Sequence, residues 1–190
     1  DYYFRKFGGD AQVVQTNTIT GRPGTGNPPI VLIRPVLPGS PVTVTNSFTI
    51  GATDSLIVLV EGALTVNANI RVNTGGFLAF IVRDNITVNP QVGFAVGSPR
   101  LAGAVNRVTD PHLTGIYITD GTFTTLPEVG LDRQVALAGT FVADTFVFGR
   151  DLDLGNATYP GELFIFRPDL WAQAPQELKE IEIRWEEVNP

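Results

Sequence analysis

The sequence predicts an all-β chain wound as a parallel β-helix, or solenoid, with a loop insertion and a carboxy-terminal cap. Three observations carry this prediction. Apolar residues alternate with a period of two from Val42 onward, a block of residues recurs at an offset of 22, and no window before Asp169 has helical periodicity.

Residues 1–41 read as an amino-terminal arm followed by a wrapping segment. The arm, Asp1-Tyr-Tyr-Phe-Arg-Lys-Phe7, places Tyr2, Tyr3, Phe4 and Phe7 close together. Leaving such surface in water costs about 25 cal/mol per Å², so the arm must pack on its own chain or complete the open edge of a neighbour. Gly21, Pro23, Gly24, Gly26, Pro28 and Pro29, then Pro35, Pro38, Gly39 and Pro41, mark residues 20 to 41 as a connection outside the sheet interior.

Residues 42–150 carry the coils. Val60-Glu-Gly-Ala-Leu-Thr-Val-Asn-Ala-Asn-Ile70 aligns on Val82-Arg-Asp-Asn-Ile-Thr-Val-Asn-Pro-Gln-Val92, so that Thr65-Val66-Asn67 recurs as Thr87-Val88-Asn89. Asp120-Gly-Thr-Phe123 matches Ala138-Gly-Thr-Phe141 at an offset of 18. These matches make Gly62, Asp84, Gly121 and Gly139 equivalent corners, and place Leu64, Ile86, Phe123 and Phe141 in one interior column. The segment from Gly97 to Thr114, with Pro99, Asp110, Pro111 and His112, reads as a loop inserted into one coil. An antiparallel β-sandwich or jelly roll is the alternative, because short strands with frequent turns suit it too. The Thr-Val-Asn recurrence favours the solenoid, since a sandwich has no reason to repeat.

Residues 151–190 read as the cap, closing in Leu178-Lys-Glu-Ile-Glu-Ile-Arg-Trp-Glu-Glu-Val188. There Ile181, Ile183 and Trp185 alternate with charges, as in a strand covering the last coil with one face. The whole is one structural domain, and a hydrophobic content of 43% is enough for a continuous core.

Composition removes several function classes. With 13 basic against 19 acidic residues, a net charge of −6 and no basic stripe, nucleic acid is not an expected partner. Apolar runs such as Leu56-Ile-Val-Leu-Val60 have strand length, so no membrane span is expected. Cysteine and methionine are both absent, which suits an exposed oxidising environment. The sequence starts at Asp1 without Met, as a processed chain or an excised domain does. In a secreted protein, Asn85-Ile86-Thr87 and Asn156-Ala157-Thr158 would make Asn85 and Asn156 glycosylation acceptors.

Catalytic constellations are sparse. His112 is the single histidine, there is no Gly-x-Ser-x-Gly elbow, and Gly21-Arg-Pro-Gly-Thr-Gly26 lacks the Lys-Ser/Thr of a phosphate loop. A carboxylate pair for glycoside chemistry would fall on Glu61 and Asp84, although corner Asp is usually a turn residue. The one cofactor candidate is calcium. Asp151, Asp153, Asn156 and Glu162 imitate the spacing of a calcium loop, with Gly155 and Asn156 in the reverse of its order.

Phe7-Gly-Gly-Asp10, Gly115-Ile-Tyr-Ile118, Gly139-Thr-Phe141, Gly149-Arg-Asp-Leu152, Pro160-Gly-Glu162, Arg167-Pro168 and the closing Trp185-Glu-Glu-Val-Asn-Pro190 together resemble the carboxy-terminal region of large predicted surface proteins of candidate-phyla bacteria. The likeness covers most of the chain. It implies a cell-surface structural role and brings no catalytic residues with it.

The expected function is a non-enzymatic extracellular structural protein that assembles into a homo-oligomer or polymer, filament or layer, through Tyr2, Tyr3, Phe4, Phe7 and Trp185. The alternative is a glycan-binding module using the inserted loop and the aromatics Tyr2, Tyr3, Tyr117, Tyr159 and Trp171; polysaccharide cleavage ranks below it.

Overall fold

The computed structural model describes residues 2–27, 29–130 and 132–179. After a helical turn, α1 (Tyr2–Phe7), the chain winds through about six solenoid turns. The first carries β1 (Gln12–Gln15) and β2 (Thr18–Ile19). The second carries β3 (Ile30–Arg34), β4 (Val42–Val44) and β5 (Phe48–Ile50), and the third β6 (Ser55–Val60), β7 (Leu64–Val66) and β8 (Ile70–Val72). Then come β9 (Phe77–Val82) with β10 (Ile86–Val88), β11 (Leu113–Thr119) with β12 (Thr122–Thr125), and β13 (Val135–Val142) with β14 (Thr145–Phe148). β15 (Glu162–Ile165) adds a last rung before two short helices, α2 (Pro168–Ala172) and α3 (Gln176–Lys179). All pairings are parallel: one sheet stacks β1, β3, β6, β9, β11, β13 and β15, and the other β2, β4, β7, β10, β12 and β14.

The 22-residue repeat is the physical register. Val60 pairs with Val82 and Leu64 with Ile86, each 22 residues on. The interior column runs Val42, Leu64, Ile86, Phe123, Phe146. Phe141 is thus not in the column. It pairs with Tyr117 in the other sheet and meets Phe123 edge to face across the core, centroids 5.3 Å apart. The 18-residue match is a coincidence of local sequence, because the later coils step by 24 from Leu113 to Leu137 and by 23 from Phe123 to Phe146.

Gly139 is therefore the rung neighbour of Gly115, and neither is a corner equivalent to Gly62. Leu113 pairs with β8 while Ile116 pairs with β9, so β11 bends between two faces at Gly115. The backbone there has φ 147° at Gly115 and 131° at Gly139. A Cβ on Gly139 would collide with the carbonyl of Gly115, so this bend requires glycine in both rungs.

Two expected boundaries move. The wrapping segment contains a full rung: Ile30–Arg34 is free of proline, with Val31 and Ile33 buried in the core and Leu32 buried on the outer side. The ladder therefore begins at Gln12, not at Val42. At the other end β15 pairs with β13, so the expected cap supplies a rung. The expected strand over Leu178–Val188 begins in α3, and its residues from 180 on lie outside the described residues.

β6 and β9 do not alternate because both of their faces are buried. Leu56, Val58 and Val60 point into the solenoid core. Ile57, Leu59, Phe77, Ala79 and Ile81 form an outer apolar layer with Phe7, Ala174 and, at its margin, Leu178, so α1 and the carboxy-terminal helices roof this sheet. The inserted loop leaves coil four after Val92 and is held by Arg100, whose Nη1 lies 2.7 Å from Asp110 Oδ2, and by its N–H on Gln134 Oε1 at 2.7 Å.

Candidate functional site

The aromatic arm is folded onto its own chain. Tyr3, Phe4 and Phe7 stand at helical spacing and pack on the outer face of the first sheet, with Phe7 2% exposed. The Tyr3 and Phe7 rings stack at 6.2 Å, and the Arg83 guanidinium lies 4.5 Å over the Phe4 ring. Tyr2 is exposed. Three of the expected assembly residues thus form an internal clasp, Tyr2 stands exposed beside them, and the fifth, Trp185, lies outside the described residues.

Of the calcium candidates, Asp151 and Asn156 meet in one turn through a side-chain hydrogen bond. Asp151 Oδ1 accepts from the Asp153 N–H at 2.8 Å and from the Asn156 side chain, while Asn156 Oδ1 accepts from the Leu152 N–H at 3.0 Å. Glu162 points elsewhere: its Oε1 accepts from Thr125 Oγ1 and, at 3.0 Å, from the Arg150 N–H. Among the described residues no three acidic, histidine or cysteine side chains converge on a metal position. The glycosylation candidates are exposed but engaged. Asn85 Oδ1 accepts from the Thr122 N–H at 2.8 Å on the next coil, and Asn156 closes the turn just described.

The groups with catalytic potential hold structure. His112 is buried beside Phe94, and its Nδ1 accepts the Ala136 N–H at 3.1 Å. Burial, aided by the positive charges of Arg71 and Arg150, pushes its pKa down to about 4, so the ring is neutral near pH 7. Arg150 is a staple between coils: Nη1 donates to Pro90 O at 2.6 Å and Nη2 to Asn89 O at 2.8 Å. Arg167 grips Asp169 through two nitrogens and donates to Arg107 O at 3.3 Å, tying the inserted loop to α2. Glu61 is paired with Arg34 at 2.8 Å, and its rung neighbour is Arg83, with Asp84 on Gly62, so the two candidate carboxylates stand in different columns.

The aromatics proposed for glycan contact do not share a face. Tyr117 is interior and fully buried, sandwiched between Phe80 at 5.6 Å and Phe141 at 5.1 Å. Tyr159 lines a cleft of about 440 Å³ between the inserted loop and the segment around Leu152, with Asp132 and Gln134 in its wall. Trp171 sits at the carboxy-terminal end, its Nε1 donating to Thr140 Oγ1 at 2.9 Å.

That end holds the feature the sequence reading missed. Among the described residues β14 pairs only with β12 and β15 only with β13, so no described strand stacks on the last rung. All four residues of β14 are exposed, Phe148 by 50%, and after β15 Phe166 is 68% exposed. Phe141, Phe146, Phe148, Phe164 and Phe166 line a groove of about 550 Å³ whose wall, among the described residues, contains no charged one. The rings touch in series: Phe141 to Phe164 at 5.6 Å, Phe164 to Phe148 at 5.3 Å, Phe148 to Phe146 at 5.7 Å. The interior aromatic stack thus continues out into solvent. The signal was present in Thr145-Phe-Val-Phe148 and Leu163-Phe-Ile-Phe166, two aromatic-rich strands at the end of the repeat.

Among the described residues no helix is long and apolar enough to cross a membrane. Comparison of the chain with protein-family models, with curated proteins and with solved structures found no match.

Proposed function

We propose that this chain is a non-enzymatic structural module of the cell surface that associates with copies of itself through the aromatic end of its solenoid. The observation that carries this reading is the last described rung, where Phe146, Phe148, Phe164 and Phe166 form one exposed apolar face. Contiguous exposed apolar surface marks an interaction site, and an edge strand with unpaired N–H and C=O groups adds directional bonds to the same place. Support for a non-catalytic role comes from the occupation of His112, Glu61, Glu162 and Arg150 in structural bonds. The cell-surface location rests on the resemblance noted above and on the sulfur-free composition.

Sedimentation velocity over a concentration series tests the reading, using the wild type with Phe148→Glu and Phe166→Glu. Both side chains are at least half exposed, so the variants keep the fold. The wild type should sediment faster as concentration rises, while both variants stay monomeric with unchanged circular dichroism. A wild type that remains a monomer throughout would refute self-association.

The cleft beside Tyr159 supports glycan binding as a second reading, since it joins one aromatic face to the polar wall of Asp132 and Gln134. Retention on polysaccharide columns that is lost in Tyr159→Ala would favour it; equal elution of both would dismiss it.

A further inference from the structure

We infer that two copies pair carboxy-terminal end to carboxy-terminal end about a twofold axis, so that assembly stops at a dimer and does not propagate as a filament. This rests on the self-association reading and adds its geometry and partner, a second copy in inverted orientation.

The two ends of the solenoid are unlike. At the amino-terminal end the loop after β2 folds back across the first rung: Gln12 Nε2 donates to Thr25 Oγ1 and Gln12 Oε1 accepts from the Thr25 N–H, both at 2.8 Å. Pro23 and Ile19 are buried beneath it, beside Val14 and Ile33. The core is closed there, and the closing layer is polar. At the carboxy-terminal end the core is open and its wall is phenylalanine.

A filament requires head-to-tail contact between two complementary surfaces. Here that contact would press the exposed rings against the polar Gln12–Thr25 pair and strip it of water while offering it no hydrogen bond in return. The surface that matches an apolar ring face is another such face, and a contact of one surface with itself is isologous and closes at two. Phe146, Phe148, Phe164, Phe166 and Trp171 are each 39% to 68% exposed. At roughly 200 Å² per ring residue they offer about 500 Å² per chain, so about 1,000 Å² in a pair before the rim is counted. Specific interfaces bury about 1,200 to 2,000 Å² in total, so the rings with Val142, Val147 and the rim are enough. The groove wall carries no charge to repel its copy. A twofold axis perpendicular both to the solenoid and to its terminal strands also sets those strands antiparallel, the arrangement in which edge strands exchange hydrogen bonds in pairs.

The chain has no cysteine, so single-cysteine variants with a short bis-maleimide report which ends meet. Phe166→Cys, and Thr145→Cys in β14, which removes no ring, should each cross-link to themselves as dimers and no further. Val13→Cys in β1 should stay uncoupled, alone or mixed with Thr145→Cys. Heterologous Val13-to-Thr145 products that ladder upward would overturn the closed pair while leaving self-association intact. A monomeric wild type, together with Phe166→Cys and Thr145→Cys variants that yield no cross-link, would overturn both. If a chain ending at Lys179 dimerised while the full chain did not, residues 180–190 would cover the end in cis and the pair would again be refuted.

Discussion

Acidification should destabilise this protein in a window set by one residue. His112 is buried, and its folded-state pKa of about 4 lies below the ordinary value of 6.5. For a depressed histidine the unfolded chain binds the proton first. Stability is therefore full above pH 6.5 and is lost as pH falls toward 4. At 1.36 kcal/mol per pKa unit the ceiling is about 3 kcal/mol. For a chain of 190 residues, that corresponds to a fall in Tm of about 6 to 12 °C. The control is His112→Asn, whose Oδ1 can accept the Ala136 N–H as the imidazole Nδ1 does, and which does not titrate. Thermal melts by circular dichroism between pH 7.5 and 4.5 should show the wild type losing Tm and the variant losing much less. Parallel profiles would refute the assignment of a buried neutral imidazole.

Other consequences concern the core and the loops. Phe123→Asp places a charge where Phe123 stacks on Ile86 and meets Phe141 and Phe146; losing the ring alone costs about 3 to 5 kcal/mol, and the variant should show no cooperative melt. Arg150→Met removes the donors to Asn89 O and Pro90 O; since bonds to a charged donor contribute about 1.5 to 3 kcal/mol each, a loss of several kcal/mol in denaturant titration is expected, and an unchanged midpoint would remove Arg150 as a staple. Chelator should leave the melting curve unchanged, because Asp151, Asn156 and Glu162 already serve backbone and side-chain donors. A chelator-dependent fall in Tm would restore the calcium loop suggested by the spacing.

The middle of the fold was legible because its coils have equal length. Where three consecutive rungs step by 22 residues, Thr65 lies over Thr87 and sequence alignment equals structural register. After coil four the step changes to 24 and 23, and a recurring Gly-Thr-Phe then misleads: Gly139 stacks on Gly115, which is followed by Ile116-Tyr117 and not by Thr-Phe. The rung Ile30–Arg34 was hidden by the prolines on either side of it, which mark the turns and say nothing about the five residues between them. The arm was legible as apolar but not as a helix, because six residues carry less than two turns of periodicity. The calcium spacing is read differently by the fold. Glu162 is the first residue of β15, and the alternation of that strand turns its carboxylate toward Thr125. The open end was hard to see because exposure depends on what is absent above a rung, and Phe146 has the same local sequence character as the buried Phe123.

Amide hydrogen exchange measured at low and high protein concentration tests self-association through the aromatic end most directly. Among the described residues β14 and β15 have one unpaired side each, while β1 and β2 at the other end lie under their own loop. Raising the concentration should slow exchange at Thr145–Phe148 and Glu162–Ile165 and leave Gln12–Gln15 unchanged. Equal exchange at the two concentrations, or slowing at Gln12–Gln15 instead, would contradict the account.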